Sequence, residues 1–281
     1  MRKTFLLAAL IVSFAFSAQA QLLYRISGNG LESPSYIVGT YHFAPASFAD
    51  SIPGMNEAIE NTQQVCGELD LMDAFKPENA ARMMQALMLP EGTTLTSLLT
   101  EDQLGRLNAL LLEVLGTDLN DETYAAQVDK MIPVALSTNL TLASYMKEHP
   151  SLNPMELIDN YFQMQTLYGA PLQKQVDDLM CLVDHFDEAM DLTTRITDAY
   201  FSQNFQQLEA ILEEEMEGAC AATPEEEAAL LDDRNHNWIK MMPDMMTEHP
   251  TLFVVGAGHL CGEQGVLKLL EGLGYTVEGM K

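Results

Sequence analysis

Apolar positions change their spacing several times along the 281 residues. An apolar run, Phe5 to Phe16, comes first. Short segments follow: Leu22 to Ile26 and Tyr36 to Gly39 are each apolar enough for a strand, and Ser27-Gly28-Asn29-Gly30 between them has the composition of a tight turn. A hairpin is predicted here, its connection prolonged by Glu32-Ser33-Pro34. Met55 to Thr62 is helix-compatible, and Val65 to Leu69 predicts another strand. From about Lys76 to Trp238 the pattern is mainly helical, broken at Pro90-Glu91-Gly92, His149-Pro150, Gly169-Ala170-Pro171 and Thr223-Pro224. Thr223 and Glu226 can each satisfy a backbone donor of the other, and Pro224 suits a first helical position, so a capped helix start is predicted there. Strand character returns at Leu252 to Val255 and at Tyr275 to Val277, with a helix over Val266 to Leu273 between them. This order predicts an α/β fold: one domain over residues 21–281, with a mixed central sheet completed by N- and C-terminal strands and a long helical middle region.

The first apolar run has a different meaning. Arg2 and Lys3 precede it and Ala18-Gln19-Ala20 closes it, the three-part arrangement of a secretion signal. Residues 1–20 are therefore read as a cleaved signal peptide, with Gln21 first in the mature chain and a periplasmic or secreted destination. The run is short for a bilayer span, and no cysteine follows the cleavage site to accept a lipid. No later stretch approaches about 18 uninterrupted apolar residues, so no stable membrane insertion is expected after cleavage. Lys and Arg number 14 against 41 Asp and Glu, a net charge of −27. Such a polyanion repels phosphate backbones, which excludes nucleic acid as a partner. Cys66, Cys181, Cys220 and Cys261 permit three pairings in an oxidising compartment. Cys181 with Cys220 is preferred, because both lie in helical sequence away from the candidate site. Cys66 and Cys261 are each two residues from a candidate catalytic residue and read as buried thiols, a second pair or metal ligands.

Two segments from opposite ends of the chain share one construction: Tyr36-Ile37-Val38-Gly39-Thr40-Tyr41-His42 and Leu252-Phe253-Val254-Val255-Gly256-Ala257-Gly258-His259. Each is an apolar strand, a glycine, two residues and a histidine. The glycines, Gly39 and Gly256, are expected to turn the backbone sharply and to face substrate, leaving each histidine beyond a strand end, where open α/β sheets place their ligands. Val65-Cys66-Gly67-Glu68-Leu69-Asp70 adds carboxylates at the end of another strand, Glu68 first and Asp70 second. Two imidazoles and a carboxylate can hold a divalent metal while leaving positions for water and substrate, so His42, Glu68 and His259 are the candidate ligands. Arg234 offers planar donors suited to a substrate carboxylate or carbonyl, with Asn235 beside it as a substrate contact. The alternative is that Arg234 ties its helix to Glu68 or Asp70 while Trp238 packs in the core.

At these residues the chain resembles the TraB/GumN family, which includes the Tiki metalloproteases and is more distantly similar to erythromycin-esterase-like proteins. The matching segments are Tyr36 to His42, Val65 to Asp70, Arg234-Asn235 with Trp238, and Leu252 to Val277, an ordered set spanning nearly the whole mature chain. The resemblance implies a mixed sheet surrounded by helices and a cleft faced by both histidines and the acid. As in Tiki-like members, it implies a divalent metal (Mn, Co or Zn) and a peptide or protein substrate. One segment departs from the family. Relatives follow a Gly-x-Pro with Gly-Leu-Glu, bearing a second acidic site residue, whereas here Gly169-Ala170-Pro171-Leu172-Gln173 runs into Lys174-Gln175-Val176-Asp177. Asp177 is either a replacement for that glutamate or part of the following helix.

Two functions follow. One is an exported metal-dependent hydrolase, a peptidase in which Glu68 is ligand or general base and Arg234 stabilises developing negative charge. The other is a catalytically impaired protein of the same fold that binds metal, haem or peptide. His149, His249, His185 and His236 have no metal-ligand spacing, the first two standing before proline where helices end. Met241-Met242 and Met245-Met246 read as adaptable helix packing in preference to copper ligands.

Overall fold

The computed structural model describes residues 21–68, 76, 84–150, 170–215 and 220–281. The leader and Asp70 lie outside the described residues. Five strands, β1 (Leu23–Gly28), β2 (Ser35–Thr40), β3 (Gln64–Gly67), β4 (Thr251–Gly256) and β5 (Tyr275–Gly279), form one sheet in the order β3-β4-β2-β1-β5. β1 and β2 make the predicted hairpin, with Leu23 opposite Val38. Its turn places Gly28, Asn29 and Gly30 at positive φ, a region that glycine and asparagine enter at low cost. β4 runs parallel to both β2 and β3, and β5 closes the far edge antiparallel to β1. Both chain ends therefore complete a mixed sheet. β2 is buried along all of its length, which accounts for its near-continuous apolar sequence.

The helices are α1 (Met55–Asn61), α2 (Leu95–Leu98), α3 (Glu101–Leu115), α4 (Glu122–Val128), α5 (Pro133–Glu148), α6 (Leu172–Asp184), α7 (Phe186–Phe201), α8 (Phe205–Glu215), α9 (Pro224–Glu227), α10 (Asp233–Trp238), α11 (Met242–Glu248) and α12 (Val266–Gly272). Thr223 and Glu226 form the expected reciprocal cap with Pro224 at the start of α9, and Thr100 with Gln103 does the same for α3. Buried side chains gather in two clusters. One lies around the sheet and includes Ile26, Ile37, Phe253, Tyr200 and Leu270. The other lies among the helices of the middle region and includes Leu107, Leu111, Leu136, Leu140 and Leu179.

Cys181 and Cys220 are disulfide-bonded, tying α6 to the segment before α9, while Cys66 and Cys261 are free thiols. Burial first, then the carboxylates of Glu209 and Glu213, push the Cys261 thiol up to about 12, so it is an unreactive core group. Asp177 lies on the exposed face of α6 and accepts a hydrogen bond from Gln173, in keeping with its helical reading. His149 and His249 each terminate a helix, α5 and α11 respectively. Among the described residues no helix is long and apolar enough to cross a membrane.

Candidate active site

Because β2, β3 and β4 run in the same direction, their carboxyl ends share one edge of the sheet. His42 follows β2, Glu68 follows β3 directly, and His259 stands in a single 3-10 turn, Ala257–Leu260, after β4. This is the edge at which α/β sheets gather ligands.

Glu68 is the centre of the cluster. Its side chain is 4% exposed, its Oε1 accepts the Gly256 backbone N–H at 2.6 Å, and its Oε2 is paired with Arg234. Arg234 is the second residue of α10, which follows directly on a π-helical stretch, Ala228–Asp232, a local widening of the helix frequent at functional sites. Its guanidinium also lies 5.1 Å from the centre of the Trp238 ring, so the cation is held between a carboxylate and an aromatic face. The ion-pair alternative raised for Arg234 is thus the arrangement seen.

His259 is 5% exposed, and its ring stands 4.5 Å from that of Trp238. Asn235 Nδ2 donates to the Gln264 carbonyl at 2.9 Å, which turns Asn235 Oδ1 toward His259 Nδ1 at 2.7 Å. An amide oxygen can only accept, so Nδ1 carries the proton. Burial first, then the positive charges of Arg234 and His42, hold the imidazole down to about 3. The ring is therefore neutral at ordinary pH, and Nε2 presents a lone pair 3.8 Å from Glu68 Oε2. Asn235, expected as a substrate contact, is 1% exposed with both polar side-chain ends engaged, and its observed work is to orient His259.

The glycines matter for space. Neither Gly39 nor Gly256 has a positive φ, which corrects the sharp-turn expectation. A Cβ on Gly39 would lie 3.0 Å from the Ala257 Cα, and one on Gly256 would lie 3.4 Å from Glu68 Oε1. Gly39→Ala is expected to cost about 1–2 kcal/mol through overpacking, because one of the atoms it meets is backbone. Urea denaturation followed by circular dichroism measures it, and an unchanged midpoint would show that the His259 turn yields freely.

His42 is partly exposed, between two anchored aromatic residues. The Tyr41 hydroxyl bonds Thr197 Oγ1 at 2.9 Å, and Phe43 stacks on Tyr145 at 4.3 Å. β2 and β4 pair in parallel register, so His42 from one chain end and His259 from the other follow strands that end at the same edge of the sheet.

The donor chemistry suits a divalent cation in part. A neutral imidazole with its other nitrogen tied to a fixed acceptor is the usual state of a metal-ligating histidine. A separation of 3.8 Å between Nε2 and a carboxylate oxygen can be bridged by two bonds of roughly 2.0–2.2 Å. Arg234 already neutralises the same oxygen, however, and among the described residues no three His, Cys, Asp or Glu side chains form a ready coordination group. His42 is the third donor that the sequence supplies.

Fold and site together define a mixed α/β protein with a buried Glu–Arg–His cluster at the carboxyl edge of its parallel strands. A family model described as TraB/PrgY/gumN matches residues 22–167 and 162–279, and the chain belongs to that family. No curated protein and no solved structure matches the chain. Sequence reasoning missed the Gly256 N–H as a donor to Glu68 and the Gln264 carbonyl as the anchor of Asn235, since backbone groups leave no mark in residue type.

Proposed function

We propose that the chain is an exported, metal-dependent hydrolase that cleaves peptide bonds at this edge. The observation that carries the reading is the Nε2 lone pair of a neutral, oriented His259 facing the buried Glu68 carboxylate at 3.8 Å. Two electron-rich groups so placed are favoured by a cation between them. His259, Glu68 and His42 would hold Mn²⁺, Co²⁺ or Zn²⁺, which when bound supplies Lewis acidity toward a carbonyl and makes water acidic enough to attack it. Asn235 keeps the imidazole in the ligating tautomer, the Gly256 N–H fixes the carboxylate, and Arg234 sets a positive charge where negative charge develops on the substrate. Export rests on the leader, residues 1–20, and is supported by the Cys181–Cys220 disulfide, a bond at home in oxidising compartments.

The pairing of Arg234 with Glu68 favours a second reading, a protein of the same fold that binds metal, haem or peptide without turning it over. Metal analysis of the purified mature protein separates the two, combined with peptide hydrolysis after chelation and after adding back each ion. The hydrolase reading expects activity that returns with metal and is abolished in both His42→Ala and His259→Ala. Tight metal binding without turnover would support the binder, and neither binding nor turnover would overturn the hydrolase.

A further inference from the structure

Beside Glu68 the sheet carries a small apolar cavity of about 40 Å³. Its floor is one row across three strands, because Ile37 pairs with Phe253 and Phe253 with Cys66 in register, so the three side chains share a face. Its cover comes from the next two helices: Trp238 at the end of α10, and Met241 and Met245 at α11. Among the described residues lining it, Glu68 is the one charged residue, so the cavity is apolar except where it borders Glu68. A small cavity with an almost wholly apolar lining suits a compact aliphatic side chain.

We infer that this cavity is the side-chain subsite of the candidate active site and selects a small aliphatic residue, such as valine or leucine, next to the bond presented to Glu68. The assignment to a substrate side chain rests on the peptide-hydrolase reading. Three features support it. The cavity and the carboxylate are contiguous. Trp238 forms the cavity wall while bearing Arg234 on its ring, so an occupant meets the wall that also positions the cation. Met241, 54% exposed, stands over the cavity as a flexible gate, the adaptable thioether role that methionine fills at binding surfaces.

Trp238 is the chain's single tryptophan, so its fluorescence reports occupancy without any turnover. The mature protein is titrated with N-acetyl amino-acid amides of glycine, alanine, valine, leucine and phenylalanine. Valine and leucine amides are expected to shift the emission saturably at concentrations at least tenfold below those required for glycine or phenylalanine. Met245→Phe, which fills the cavity from a partly exposed helix position, should abolish that response, and Met241→Ala should admit the phenylalanine amide. An emission that responds to no amide, or responds equally in Met245→Phe, overturns the subsite. Hydrolysis is measured in parallel on peptides varied at one position. Saturable valine binding without hydrolysis removes the peptidase reading and keeps the cavity as a ligand site, whereas hydrolysis indifferent to side-chain size overturns the subsite and keeps the peptidase.

Discussion

Replacing Arg234 with alanine is expected to lower the unfolding free energy by about 3 kcal/mol, the low end of the range for removing one member of a buried ion pair. Glu68 is 4% exposed and Arg234 25% exposed, so the carboxylate bears most of the loss. Without the guanidinium it retains, among the described residues, the Gly256 N–H as its hydrogen-bond donor, and an anion stays buried with little to balance it. Glu68→Gln removes the charge while preserving an acceptor for Gly256. Its cost is expected to be smaller, about 1–2 kcal/mol, since the arginine left behind reaches solvent. Adding Glu68→Gln to Arg234→Ala should recover much of the larger loss, because the buried charge is what makes the single variant unstable. Urea denaturation of the four proteins gives the coupling as a double-mutant cycle. A cost for Arg234→Ala within about 0.5 kcal/mol, as at ordinary surface positions, would show that the pair does not hold the site together.

The strands were legible in the sequence because their signals are local. β1, β2, β4 and β5 each coincide with a short apolar run, and the hairpin follows from glycine and asparagine in the turn between β1 and β2. The pairing of β4 with β2 and β3 has no such signal, since it joins segments more than 180 residues apart and depends on which neighbour buries more surface. The repeated glycine and histidine spacing located the site edge for a physical reason now visible: the 3-10 turn bearing His259 packs so closely on β2 that only hydrogen fits at Gly39. Glu68 and Arg234 were legible as chemistry, but the sequence left Arg234 open between a substrate-facing role and a tie to Glu68 or Asp70. A charge of either sign reads alike whether it meets a substrate or its own counter-ion, and only the fold shows that these two meet each other. Asn235 was misdirected, because an amide beside an arginine carries no mark of the buried imidazole it serves.

Acid should destabilise the metal-free protein through His259. In the unfolded chain this imidazole titrates near 6.5, while in the folded protein burial, Arg234 and His42 hold it down to about 3. Between those values the unfolded state binds a proton that the folded state excludes, so folding stability falls as pH falls. The contribution is fully present above about 6.5 and exhausted near 3. At about 1.36 kcal/mol per pH unit, it amounts to about 3 kcal/mol lost between pH 7 and pH 4. Other carboxylates also titrate in this range, so the measurement is a difference: unfolding free energies of wild type and His259→Gln, both with chelator, at intervals from pH 7 to pH 4. The variant has no titrating ring but retains an amide donor for Asn235. Its curve should fall less steeply, and the two should converge by about 3 kcal/mol on acidification. Parallel curves would mean that the ring is already protonated or solvated in the folded state, which would remove the lone pair at Glu68. Arg234→Ala supplies an internal check, because losing a nearby cation must raise the folded-state value of His259 and make the acid loss shallower.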